Sequence, residues 1–173
     1  MKSVSNISLL LVHVVLFTIY CSSVVRCDDN LIQQTCKQTP NPALCVSTLK
    51  SDPQSSKAVD VKGLALITIN VVKVKATETA KIIGQQLKSK PELKQALTNC
   101  ASQYDTILTA TIPSATQAVE LGDPKFGEDG MKGTAEAAQE CEDGFGGKST
   151  ITSANQFVHD ISTIGAAMIR LLE

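Results

Sequence analysis

Apolar residues recur at steps of three and four through most of the chain. Between Asp60 and about Leu87, Val61, Ala65, Thr68, Val72, Ala76, Ala80, Ile83 and Leu87 form one stripe and predict one long helix. The run Ile67 to Val74 is rich in β-branched residues, which by itself suits a strand. Helix is preferred because no Pro or Gly falls between Leu64 and Ile83 and the stripe outlasts an ordinary strand. A second stripe begins behind Pro91, at home in a first helical turn, and runs through Leu93, Leu97, Cys100, Tyr104, Ile107, Thr111, Ala115 and Ala118 to Gly122. Pro113 interrupts it and predicts a kink near Thr109 to Ile112. A third helix runs to about Phe145 with Met131, Ala135, Ala138, Cys141 and Phe145 inward, weakened by Gly127, Gly130 and Gly133. The fourth, Thr152 to Leu172, carries Ala154, Val158, Ile161, Gly165, Met168 and Leu172 inward.

Four amphipathic helices with short connections predict an all-α, antiparallel up-and-down four-helix bundle. Two shorter helices precede it, Leu31 to Thr35 and Ala43 to Leu49, separated by the turn Thr39-Pro40-Asn41-Pro42 and followed by the linker Ser51 to Ser56. Before them Lys2 and the apolar run Ile7 to Tyr20 read as a secretory signal with cleavage after Cys27. The predicted organisation is a signal over 1–27, an N-terminal helical hairpin and linker over 28–56, and the bundle over 57–173. No second long apolar run follows, so no membrane span is expected after signal removal.

Cysteine use fits an oxidising compartment. The mature chain keeps Cys36, Cys45, Cys100 and Cys141, an even set with three possible connectivities. Cys100 lies 22 residues before Gly122 and Cys141 lies 18 after Asp123, so the two face one another across a hairpin, both on inward stripes. That pairing leaves Cys36–Cys45 to staple the small N-terminal helices. On the chain-entropy account the longer loop stabilises by about 4 kcal/mol and the shorter by about 2.5–3 kcal/mol.

The mature net charge is −3, which is no nucleic-acid footprint. The charge is segregated, however: residues 57–94 carry a net of +5 and residues 120–143 a net of −6. The simplest expectation is two solvated faces that attract one another within the fold. The catalytic inventory is thin. His159 is the single mature histidine and reads as a surface residue beside Asp160, with Ser153, Ser162 and Thr163 on the same helix. Glu128, Asp129, Glu136, Glu140, Glu142 and Asp143 read as a solvated acidic face, and Tyr104 as a core residue. No catalytic residue, metal site or cofactor site is predicted.

One stretch carries a functional signal. In Gly122-Asp123-Pro124-Lys125-Phe126, Gly122 suits a helix end, Asp123 a cap and Pro124 a first turn. Lys125 then stands at a helix N-terminus, where the dipole favours anions. Either Phe126 folds back over the bundle end beside a solvated lysine, or the pair forms a wedge for another protein's cleft.

From about Asn30 to Leu172 the chain resembles the plant invertase and pectin methylesterase inhibitor family, and within it the invertase inhibitors. The residues that carry the likeness are Cys36-Lys37-Gln38-Thr39-Pro40, Leu44-Cys45, Ser51-Asp52-Pro53, Gly63-Leu64-Ala65-Leu66, Asn99-Cys100, Gly122 to Phe126, Glu128-Asp129-Gly130-Met131 and Glu140-Cys141-Glu142. The resemblance implies a hairpin-plus-bundle fold and cysteines paired first with second and third with fourth. It also implies no enzymatic activity, a secreted protein of the cell wall (apoplast) or vacuole, and a 1:1 complex with a cell-wall or vacuolar acid invertase. Pro124, Lys125 and Phe126 are the implied target-binding residues. A separate expectation is that the acidic corner residues around Lys125 tune pH dependence, with binding weaker toward neutral pH. Gly127 departs from the alanine most frequent there. The alternative is inhibition of pectin methylesterase through a helix face. A carrier of small apolar ligands is disfavoured by a bundle of small alanine positions with few aromatics.

Overall fold

The computed structural model describes residues 29–173; the expected signal lies outside them. Helix α1 spans 29–36, followed by α2 (Pro42–Ser51), α3 (Val61–Ser89), α4 (Lys94–Thr106), α5 (Ile112–Leu121), α6 (Pro124–Asp143) and α7 (Thr152–Arg170). A π-helical segment, Ile107–Thr111, joins α4 to α5, so the two act as one bent rod. The rod packs against α3 and α6, and α7 closes the ring by packing against α6 and α3. The result is the predicted four-helix bundle.

The β-branched run of α3 is helical, and the reason is burial. Leu64, Ala65, Thr68, Ile69, Val72, Ala76, Thr79 and Ile83 are buried at helical spacing, which outweighs a weak intrinsic strand preference. Asp60 starts the helix by accepting the Gly63 N–H at 2.8 Å. The expected kink is a π-segment, in which the Ile112 N–H reaches back five residues to the Ile107 carbonyl. That wider turn is one way to relieve the clash of the Pro113 ring with the carbonyl four residues earlier. It also rotates the inward face: Ile112 and Val119 are buried and Thr111 only half so.

Helices α1 and α2 form the expected hairpin, joined by Cys36–Cys45, with α2 packed on α3 and α7. Asn41 caps α2, accepting the Leu44 N–H at 3.1 Å. The second disulfide is Cys100–Cys141, with Cα atoms 4.6 Å apart, within the range such bonds allow. Beside it the buried Tyr104 hydroxyl donates to Asn155 Oδ1 at 2.8 Å, and Asn155 Nδ2 donates to Glu142 Oε2 at 2.7 Å. Burial pushes the Tyr104 phenol pKa up, as expected of a core tyrosine. Helix α6 ends two residues before Phe145, which is nevertheless buried in the turn that follows.

Two expectations are corrected here. The basic segment lies mainly on α3 and the acidic one mainly on α6, and these helices are diagonal in the ring rather than neighbours. Among the described residues no ion pair joins the two segments, so the segregation polarises the molecule. Two glycines of α6, Gly127 and Gly130, also have a packing role. A Cβ at Gly127 would stand 2.8 Å from Val119 Cγ2, and one at Gly130 would stand 2.9 Å from Ala115 Cβ. Their absence lets α6 lie close against α5. The glycine at 127 thus accommodates Val119.

Gly130→Ala and Gly133→Ala are expected to shift stability in opposite directions. The first forces α6 away from Ala115, which has no rotamer to yield, at a cost of about 1–3 kcal/mol. The second meets nothing within 4 Å and gains up to about 1 kcal/mol of helix propensity. Thermal unfolding of the two variants, with Gly130→Ala melting below the parent and Gly133→Ala at or above it, checks the packing assigned to Gly130.

Candidate functional site

The α5–α6 corner is built by local backbone chemistry. Gly122 adopts φ 82°. Its N–H bonds the Val119 carbonyl at 3.3 Å and the Asp123 N–H bonds the Ala118 carbonyl at 2.8 Å, the paired bonds of a Schellman turn. Asp123 Oδ1 then accepts the Phe126 N–H at 3.1 Å, and Pro124 occupies the first turn of α6. Pro124, Lys125 and Phe126 are therefore carried at the tip of a short, internally bonded corner. Phe126 does not fold back over the bundle; it is 58% exposed.

Lys125 is paired. Its Nζ lies 3.1 Å from Asp129 Oδ1 and 3.5 Å from Glu128 Oε2. The Asp129 hydrogen bond first, then the charges of Asp129 and Glu128, raise its ammonium pKa above the usual value. These carboxylates offset the unfavourable field at the helix N-terminus. The pair with Asp129 is exposed on both sides, and pairs of that kind are weak and exchangeable, so a carboxylate on another protein can compete with Asp129 for the ammonium.

Glu128 does not belong to a solvated acidic face. It is 2% exposed and accepts Arg170 Nε at 2.8 Å, while Lys132 Nζ stands 2.7 Å from its Oε1. Its carboxyl is drawn from 4.5 down to about 2, chiefly by the Lys132 hydrogen bond and, against the opposing effect of burial, by Arg170 and the charge of Lys125. This carboxylate ties the first turns of α6 to the end of α7. The inward stripe Met131, Ala135, Ala138 extends back to position 128, so its burial was foreshadowed in the spacing. Its partner Arg170, 42 residues away, was not.

The other candidates assemble no catalytic group among the described residues. His159 Nδ1 contacts Asp160 Oδ1 at 2.9 Å. Thr163 Oγ1 bonds the His159 backbone carbonyl rather than its ring, and Ser162 Oγ is buried without a partner. The four cysteines are joined in two disulfides. No helix among the described residues is long and apolar enough to cross a membrane.

Comparison with known proteins agrees with this architecture. The plant invertase/pectin methylesterase inhibitor family description matches residues 30–168. A relative from Arabidopsis thaliana, cell wall/vacuolar inhibitor of fructosidase 1, is 45% identical over 141 residues, covering 82% of this chain and 68% of the relative. A pectinesterase inhibitor from Actinidia deliciosa is 31% identical over 147 residues, covering 84% and 78% respectively. Among solved structures, a mutant form of a pectin methylesterase inhibitor from Arabidopsis superposes with a TM-score of 0.70 at 19% identity, covering 80% of this chain and 94% of that one. That likeness concerns the fold.

The Glu128 cluster has a defined pH signature. A carboxyl whose pKa is lowered on folding contributes stability that is complete above its unfolded value and lost as pH falls through the folded one. For Glu128 that window runs from 4.5 down to about 2. Glu128→Gln is therefore expected to cost about 1.5–3 kcal/mol at pH 6 through weakened charge-assisted hydrogen bonds. The gap from the parent should narrow below pH 4.5 and close near pH 2. Urea unfolding at several pH values measures it.

Proposed function

This chain belongs to the plant invertase/pectin methylesterase inhibitor family, a family of proteinaceous inhibitors and not of enzymes, and from that premise we propose that it inhibits an acid invertase by placing Pro124, Lys125 and Phe126 in the sucrose-binding cleft. The observation that carries the reading is the corner itself: an aromatic ring, 58% exposed, beside an ammonium whose nearest partner is the exposed carboxylate of Asp129. Glycosidases cleave with a pair of carboxyl groups flanking the scissile bond. Lys125 exchanges Asp129 for such a carboxylate in a charge-assisted hydrogen bond. Phe126 fills apolar wall that sugar would otherwise cover, and substrate is excluded by occupancy. Pro124 fixes φ at the first helical position, so little corner entropy is lost on docking.

The site of action in this reading is the cell wall or the vacuole, reached after removal of residues 1–27, and the complex is 1:1. Inhibition of pectin methylesterase through a helix face is the second reading, favoured by the likeness to the Actinidia deliciosa pectinesterase inhibitor.

Purified cell-wall invertase, vacuolar invertase and pectin methylesterase, each titrated with the protein, separate the two. Phe126→Ala is expected to weaken invertase inhibition by about thirtyfold or more, as loss of a central aromatic anchor does. Lys125→Glu should weaken it further by setting two carboxylates against each other. Circular dichroism should remain that of the parent, since both side chains are exposed. Undiminished inhibition by both folded variants would exclude the plug.

A further inference from the structure

Five large apolar side chains are exposed among the described residues: Val59, Val74, Ile82, Leu121 and Phe126. Isolated exposed apolar residues are ordinary. Three of these, however, lie at the corner end of the bundle. Leu121, the last residue of α5, is 77% exposed immediately before Gly122. Val59, 89% exposed, immediately precedes the Asp60 cap of α3. Lys62 Nζ donates to the Glu120 carbonyl at 3.0 Å, which ties the start of α3 to the end of α5 and so brings the Val59 and Leu121 segments to the same end. This is the end that carries Lys125 and Phe126.

Interface size points the same way. A stable protein complex buries about 800 Å² on each partner, whereas one aromatic side chain supplies only about 150–250 Å². Three corner residues are too few, so flanking surface must be covered as well. Leu121 is separated from Phe126 by only four residues around a tight turn. A cleft deep enough to take the ring brings its own rim down onto Leu121.

We propose that Leu121 and Val59 form a second, apolar contact that seats on the rim of the target glycosidase's cleft, outside the sugar pocket that Lys125 and Phe126 occupy. The proposal rests on the acid-invertase reading above. In it the corner blocks the substrate and the flanking residues lengthen the life of the complex. The occupant is a protein with an apolar cleft rim and carboxyl groups within, matching Leu121 and Val59 outside and Lys125 inside.

The test is the inhibition constant and dissociation rate of the full chain against a purified acid invertase, for Leu121→Ser, Val59→Ser and the double variant. Val74→Ser, in the middle of α3 and 51% exposed, is the control. The double variant should inhibit about ten- to a hundredfold less well, chiefly through faster dissociation, with an unchanged melting temperature and with Val74→Ser at parental potency. An inhibition constant within twofold of the parent for the double variant, while Phe126→Ala is impaired, overturns this proposal and leaves the plug standing. Equal weakening by Val74→Ser also overturns it, because the effect would then not belong to the corner end. Failure of the parent to inhibit any acid invertase overturns both readings together.

Discussion

The close antiparallel packing of the α4–α5 rod against α6 is the constraint on which the rest of the structure depends. It is fixed at one end by the Cys100–Cys141 bond and at the other by the Schellman turn at Gly122. Between them Gly127 and Gly130 remove the side chains that would hold the helices apart. A corner held this way has little freedom to relax. Its residues project because the backbone hydrogen bonds of the turn are satisfied locally, by Ala118, Val119 and Asp123, rather than by the side chains at the tip.

Glu128 gives the corner its electrostatics. A buried carboxylate is a weak source of net stability, because desolvation opposes the gain from its partners. Its effect here is directional. By receiving Arg170 and Lys132 it draws the end of α7 against the start of α6, and by standing 3.5 Å from Lys125 it supports a cation where the helix dipole disfavours one. Its lowered pKa keeps that charge through the mildly acidic range, so the pairs that Glu128 makes with Arg170, Lys132 and Lys125 persist well below neutrality. The acidic residue that bonds Lys125 at the surface is Asp129.

Polarity across the bundle follows from ring order. Lysine-rich α3 and acid-rich α6 occupy diagonal positions, so each faces solvent instead of the other. The field of such a molecule extends beyond its surface and orients it on approach to a charged partner. At the corner end the apolar residues Val59, Leu121 and Phe126 stand near cationic Lys62 and Lys125.

Much of this was legible in one dimension. Helical stripes are local periodicities, and the core they predicted is buried at Val72, Tyr104, Met131 and Val158. The cap and turn at Gly122-Asp123-Pro124 depend on neighbours a few residues away, and the disulfide pairing followed from distances to that corner. Three features depended on the three-dimensional packing. Gly127 and Gly130 looked like weak points of a helix because propensity is a property of one helix, whereas close approach is a property of two. Glu128 looked solvated because its partner Arg170 is remote in sequence and its desolvation exists only once α7 is in place. The outward ring of Phe126 and the exposure of Leu121 were decided last, since a side chain at a helix end points in or out according to what the assembled bundle leaves room to cover. By itself, then, the sequence determined the periodic core, the caps and the cysteine register; the assembled bundle determined which charges meet and which apolar groups stay in water, because those depend on distances that no local pattern encodes.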